Sequence, residues 1–175
     1  MECDGSEHVS APRISVDQLT AAVKKIERMT LAEKSALIDE IHEQQPALLA
    51  SCLVQPRLGV TLEKLEFLLH ILMVCFQAMK ESAWHWPVIS EDFQEQQLER
   101  LVGSILFSED IAHPMMANRA RAQYLENHPE SPLFTYVVNQ CQSWLVELAR
   151  EGQEAESDKF VMLAAANIAN CIAHV

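Results

Sequence analysis

Glu63, Glu66 and His70 recur at intervals of three and four residues within LEKLEFLLHILMVCFQAMKES. On a helix that spacing lines two carboxylates and an imidazole along one face. Helical bundles build sites for iron, manganese or zinc from such donors, in the best-known form from inward glutamates and two Glu-x-x-His pairs. Glu-x-x-His does not occur in this chain. Asp39 with His42 and Asp110 with His113 supply carboxylate–imidazole pairs at the same spacing, and Cys171 with His174 a thiol–imidazole pair. The simpler expectation is that Glu63, Glu66 and His70 form the solvated edge of a helix, with no metal and no cofactor. A metal- or small-molecule-dependent helical enzyme using that stripe is the alternative.

The stretch WHWPVIS places Trp84, His85 and Trp86 directly before Pro87. Proline disfavours helical geometry at the preceding residue, so the segment is expected to be extended. Trp84 and Trp86 then point to one side and His85 to the other. The rings are expected to cover a bundle end and anchor the loop; the competing role is a partner-binding anchor. In HPMMANRARAQYLENHP, Arg121 and Tyr124 stand near Met115 and Met116, residue types enriched at interfaces. They are the second partner-binding candidates, against a plainer reading of core packing plus salt bridges, with Arg119 paired to an acid on another helix. Asn167, Asn170 and His174 make a polar stripe on the last helix, expected to be exposed rather than a hydrogen-bonding pocket or a polar pin between two helices.

Other chemistry finds no support. The four glycines (Gly5, Gly59, Gly103, Gly152) never cluster, so neither a phosphate-cradling loop nor a dinucleotide fingerprint is present. No serine sits in a GxSxG elbow. Gly103 falls inside a helical pattern, where it is expected to mark a close helix crossing.

The elements that must position these residues are helices. Ser15, Thr30, Thr61, Ser90, Ser131 and Ser157 each precede an apolar-periodic stretch, and Thr30 with Glu33 forms a capping box. Pro46, Pro114 and Pro132 suit first turns. Val16, Leu19, Val23 and Ile26 step by three and four, as do Leu98, Leu101, Val102, Ile105 and Leu106. Phe134, Val137, Cys141, Trp144 and Leu148 form the strongest stripe, closed by Arg150 and Gly152. No segment alternates as a strand would. The expected fold is an all-α, single-domain bundle of about seven or eight helices, with residues 1–14 a flexible tail and 15–175 the helical domain. The helix through residues 62–81, apolar round most of its circumference, and the alanine-rich last helix should be central.

The chain of 175 residues can enclose a full core. Its net charge of −12, from 13 basic and 25 acidic residues, repels phosphate backbones and anionic lipid. Neither nucleic acid nor membrane is therefore an expected partner. The start has neither the basic nor the apolar region of a signal peptide. The longest apolar-rich run, 13 residues, falls short of the roughly 20 a spanning helix needs. Five cysteines (Cys3, Cys52, Cys75, Cys141, Cys171) show no CxxC pairing and mostly lie among apolar residues, which suits a reducing cytoplasm. These readings converge on a cytoplasmic, non-enzymatic helical protein that works through protein–protein contact. A homodimer is expected, because the last helix and the Phe134–Leu148 seam offer more apolar surface than one chain should enclose. A basic protein partner would suit the acidic surface.

Overall fold

The computed structural model describes residues 11–109 and 114–175. Among them the chain forms eight α-helices and no strand: α1 (Val16–Arg28), α2 (Leu31–Gln44), α3 (Pro46–Leu53), α4 (Leu62–Glu81), α5 (Glu91–Glu109), α6 (Pro114–Glu126), α7 (Ser131–Glu151) and α8 (Asp158–His174). A single 3-10 turn, Gln55–Leu58, joins α3 to α4. The expected all-α bundle is what the chain builds.

The caps explain where helices begin. Ser15 and Thr30 each accept a hydrogen bond from the third backbone N–H of their helix, while Gln18 and Glu33 reach back to the cap. Both are full capping boxes, and the one at Ser15 was not among those expected. Ser90 accepts from Phe93 N at 3.2 Å. Thr61 and Ser157 occupy cap positions without a side-chain cap bond, and Ser131 is already the first residue of α7. At the other end of α7, Gly152 takes a left-handed φ of 66° and its N–H donates to the Leu148 and Ala149 carbonyls, closing the helix after Glu151.

Both helices expected at the centre are there. Ile71 to Met79 is buried without interruption in α4, and α8 buries Ala165 and every residue from Asn167 to Ala173. α1 lies along α4, while α4, α5 and α7 pack round α8. Phe67 of α4 and Trp144 of α7 stack with ring centres 4.6 Å apart. Of the seam on α7, Phe134, Val137, Cys141 and Leu148 are buried within the one chain. The surface expected to pair two chains is thus enclosed only in part, since Val138, Trp144 and Leu145 are half-buried and Val146 is exposed.

Several expectations are corrected. Of the α1 stripe, Leu19 and Ile26 are buried and Val23 packs on the core, but Val16 is exposed and Ala22 is buried in addition. α5 meets α8 through Gln94 and Gln97, both buried, as well as through Leu101. Gly103 marks no close crossing, because a Cβ there would meet nothing within 4 Å. Arg13 and Ile14, within the segment expected to be a tail, are packed into the bundle, Ile14 completely.

A buried ion pair closes the far side of the core. Lys64 Nζ pairs with Asp158 and donates to Gln153 O at 2.8 Å, while the other Asp158 oxygen accepts from Ala155 N at 2.8 Å. Every charge-bearing atom thus has a partner, the condition under which a buried pair is tolerated. The contact fixes the start of α4 to the α7–α8 connection. Lys64 sits one residue from Glu63, yet it turns into the core while Glu63 faces solvent.

Candidate functional site

A groove of about 1110 Å³ is bounded by α5, α6, α7 and the end of α8. Leu101 and Ile105 of α5, Tyr124 and Leu125 of α6, and Phe134 and Val138 of α7 supply its apolar surface. Gly103 opens the α5 wall. Arg100, Arg121 and His174 also line it, and no carboxylate does so among the described residues. The described lining thus carries guanidinium groups in a chain with a net charge of −12.

Arg121 and Tyr124, paired in the sequence as partner-binding candidates, are brought together on this groove. Tyr124 lies edge-on to Phe134 with centres 5.7 Å apart, and partial burial pushes its hydroxyl pKa up. Arg119 and Arg121 are both exposed and make no ion pair among the described residues, so the salt-bridge reading of Arg119 fails.

Beneath the groove lies a polar layer that the sequence reading misjudged. Asn167 and Asn170 are buried, not exposed: their side-chain amides donate to the Gln94 and Gln97 carbonyls of α5, at 3.0 and 3.3 Å. They pin α8 to α5. Asn170 Oδ1 faces His128 Nε2 at 3.4 Å, and His128 Nδ1 accepts from Glu130 N at 3.3 Å. An accepting Nδ1 assigns the proton to Nε2, so His128 is the neutral tautomer that donates to Asn170. Burial pushes its pKa down to about 4, with the neighbouring His174 adding to the shift and the Asn170 and Glu130 bonds opposing it. His128 also stacks on Phe134 at 4.2 Å. His174 is exposed at the groove, its Nδ1 2.8 Å from Asn170 O.

The WHWP segment connects to this layer from outside it. Ala83 takes a left-handed φ of 56°, which turns the chain off α4 before the proline is reached. Trp86 donates from Nε1 to Met79 O and Ser82 Oγ, at 3.0 and 3.1 Å, and anchors the loop. Gln45 clamps the extended part, donating to Pro87 O and accepting from Ile89 N, each at 2.9 Å. Trp84 is 58% exposed, so the expected pair of buried rings is reduced to one. Neither tryptophan lines the groove. Arg13 links the two regions, stacking on Trp86 and bonding Glu130, which is 1% exposed. Nothing in the spacing of Arg13 and Glu130, 117 residues apart, could have signalled that pairing.

The metal candidates do not assemble. Glu63 and Glu66 are exposed, and His70 is half-buried near Lys34, its pKa pushed down by burial first and by that cation second. Asp39 and His42 are exposed, Cys171 is buried while His174 is not, and Asp110 and His113 lie outside the described residues. No group of three or more metal-ligating side chains occurs among the described residues. The thiols are equally remote from chemistry. Cys52, Cys75, Cys141 and Cys171 are free and buried, and burial pushes Cys52 and Cys171 up to about 12 and Cys141 to about 11. At neutral pH such thiols are not nucleophiles. A second cationic patch, Lys24, Lys25 and Arg28 at the end of α1, was passed over in favour of the one round Arg121.

The groove combines apolar area with the Arg100 and Arg121 guanidinium groups and the His128 and His174 imidazoles. No helix of the described residues is long and apolar enough to cross a membrane. No protein family, no curated protein and no solved structure matches the chain.

Proposed function

We propose that the protein is a non-enzymatic interaction module whose α5–α8 groove receives an amphipathic helix of a partner. The observation that carries this is the make-up of the groove walls, apolar and cationic within an acidic chain. A helix lays its apolar face into such a groove through residues spaced by three and four. A carboxylate on its flank would meet Arg100 or Arg121, and Tyr124 is the aromatic contact of the kind that dominates interface energetics. The free buried thiols suit a reducing compartment, and the reading places the protein in the cytoplasm.

The test uses a labelled, helix-forming peptide of leucine, alanine and glutamate, with a twin in which lysine replaces glutamate. Fluorescence anisotropy should show saturable, micromolar binding of the acidic peptide and at least tenfold weaker binding of the twin. Arg121→Glu should weaken the acidic peptide about tenfold, and Tyr124→Ala about as much, equivalent to roughly 1.4 kcal/mol each. Light scattering on the same samples reports whether two copies pair instead. Equal affinity for both peptides, or a stable dimer disrupted by Arg121→Glu, would refute the reading.

A further inference from the structure

A second, smaller cleft lies on the other side of the α5–α8 contact, between the 3-10 turn, α5 and α8. It encloses about 240 Å³ and is walled by Leu58, Leu98, Phe160 and Leu163. That is below the roughly 300–1,000 Å³ of small-molecule sites and suits a single side chain. Gln55 and Asn167 both line it, and both carry a buried amide oxygen with no hydrogen-bond partner among the described residues.

The two orphans are alike in origin. Gln55 Nε2 donates to Ser51 O at 3.0 Å, and Asn167 Nδ2 donates to Gln94 O at 3.0 Å. Each amide nitrogen is committed to a backbone carbonyl, so neither amide can flip and each oxygen is left as an acceptor. Gln55 is 7% exposed and Asn167 8%, so bulk water does not readily serve them. A buried acceptor without a donor is destabilising, and two beside one cleft specify what is missing. The missing group is a hydrogen-bond donor.

Charge narrows the donor further. Glu95 lines the same cleft, and the chain carries a net charge of −12. Lys159 is exposed and holds its own ammonium 5.1 Å from the Phe160 ring centre, so the chain itself carries a cation that competes there. The rim favours a protein over a free amine. Leu53, Val54 and Leu58 are 53%, 40% and 47% exposed on the turn leading to the cleft, an apolar surface that a partner's neighbouring residues would cover.

We infer that the cleft between Gln55 and Asn167 receives the side chain of an arginine or lysine from a basic partner segment. Its methylene stem packs on Leu58, Leu98 and Leu163. Its N–H groups supply donors to the Gln55 and Asn167 oxygens, with the Glu95 carboxylate neutralising the charge. The site is separate from the α5–α8 groove and stands or falls without it.

Nuclear magnetic resonance on the full chain tests this with three probes: butylguanidinium, butyltrimethylammonium, which carries the charge without an N–H, and butyrate. Butylguanidinium should shift the side-chain amide signals of Gln55 and Asn167 saturably in the millimolar range, and the other two should not. Glu95→Gln, on an exposed residue, should weaken butylguanidinium several-fold. A short peptide alternating leucine and arginine should bind at least tenfold more tightly than butylguanidinium, and lose that advantage in the Leu53→Ser, Val54→Ser double variant. Equal response to butylguanidinium and butyltrimethylammonium would overturn the inference. So would binding that appears only in Lys159→Gln, because the chain's own lysine would then be the donor, and so would a peptide no tighter than the free probe.

Discussion

The guanidinium of Arg13 lies 4.4 Å from the centre of the Trp86 ring and donates to the Ile172, Ala173 and Val175 oxygens at 2.6, 3.0 and 3.0 Å. One side chain therefore covers the loop anchor and closes the C-terminal end of α8, where the helix dipole favours a cation. Its Nε and the Arg13 and Ile14 backbone N–H groups saturate Glu130, at 2.9, 3.1 and 3.0 Å. The partners span residues 13 to 175, so the contact joins the start of the described chain to its last helix.

Arg13→Ala removes the only counter-charge that Glu130 has among the described residues and uncovers Trp86. Breaking a buried pair from one side costs about 3 kcal/mol or more, and urea unfolding should show a loss of that size. Arg13→Lys should recover only part of it, because an ammonium has no planar fork to reach Glu130 and three carbonyls while stacking on an indole. A change under about 0.5 kcal/mol in Arg13→Ala, the size expected of a plain surface substitution, would show that the cluster does not hold the fold together.

Gly103→Ala should stabilise the protein. Glycine inside a helix costs about 1 kcal/mol against alanine, and a Cβ at this position meets nothing within 4 Å. Thermal unfolding should shift upward by a few degrees. Because Gly103 lines the α5–α8 groove, the same methyl group should weaken the acidic peptide. Stabilisation without any effect on the peptide would place the binding elsewhere.

How far the sequence discloses all this depends on the range of the interactions. Capping at Ser15 and Thr30, closure at Gly152 and the burial of α4 depend on residues within one or two turns, and local spacing reveals them. Arg121 and Tyr124 were legible as neighbours for the same reason. Asn167 and Asn170 were misjudged because burial of an amide depends on a carbonyl 73 residues away. The periodicity of α8 cannot tell a solvated stripe from a satisfied one. Alternation treats Trp84 and Trp86 as equivalent, but it is the Trp86 indole N–H that donates to the Met79 carbonyl and the Ser82 hydroxyl at the end of α4. Lys64 shows the limit most plainly, since only the placement of Asp158 makes its burial possible.

His128 should make the fold sensitive to mild acid. In the unfolded chain a histidine titrates near 6.5, whereas in the folded protein burial pushes His128 down to about 4. The folded form therefore resists a proton that the unfolded form accepts, and stability is complete above about 6.5 and lost as pH falls through about 4. At about 1.4 kcal/mol per pH unit across that window, the loss is roughly 3 kcal/mol. Protonation also adds a donor at Nδ1, where His128 now accepts from Glu130 N, so the polar layer under the groove cannot absorb the charge without rearranging. His128→Gln is neutral throughout and removes this contribution. Carboxylates with lowered pKa, such as Glu33 and Glu63, also shed stability on acidification, but in the wild type and the variant alike. Denaturant unfolding at intervals from pH 7 to pH 4 should show the wild type falling by roughly 3 kcal/mol more than His128→Gln. Parallel profiles for the two proteins would mean that His128 is solvated, and that the polar layer is more open than its geometry shows.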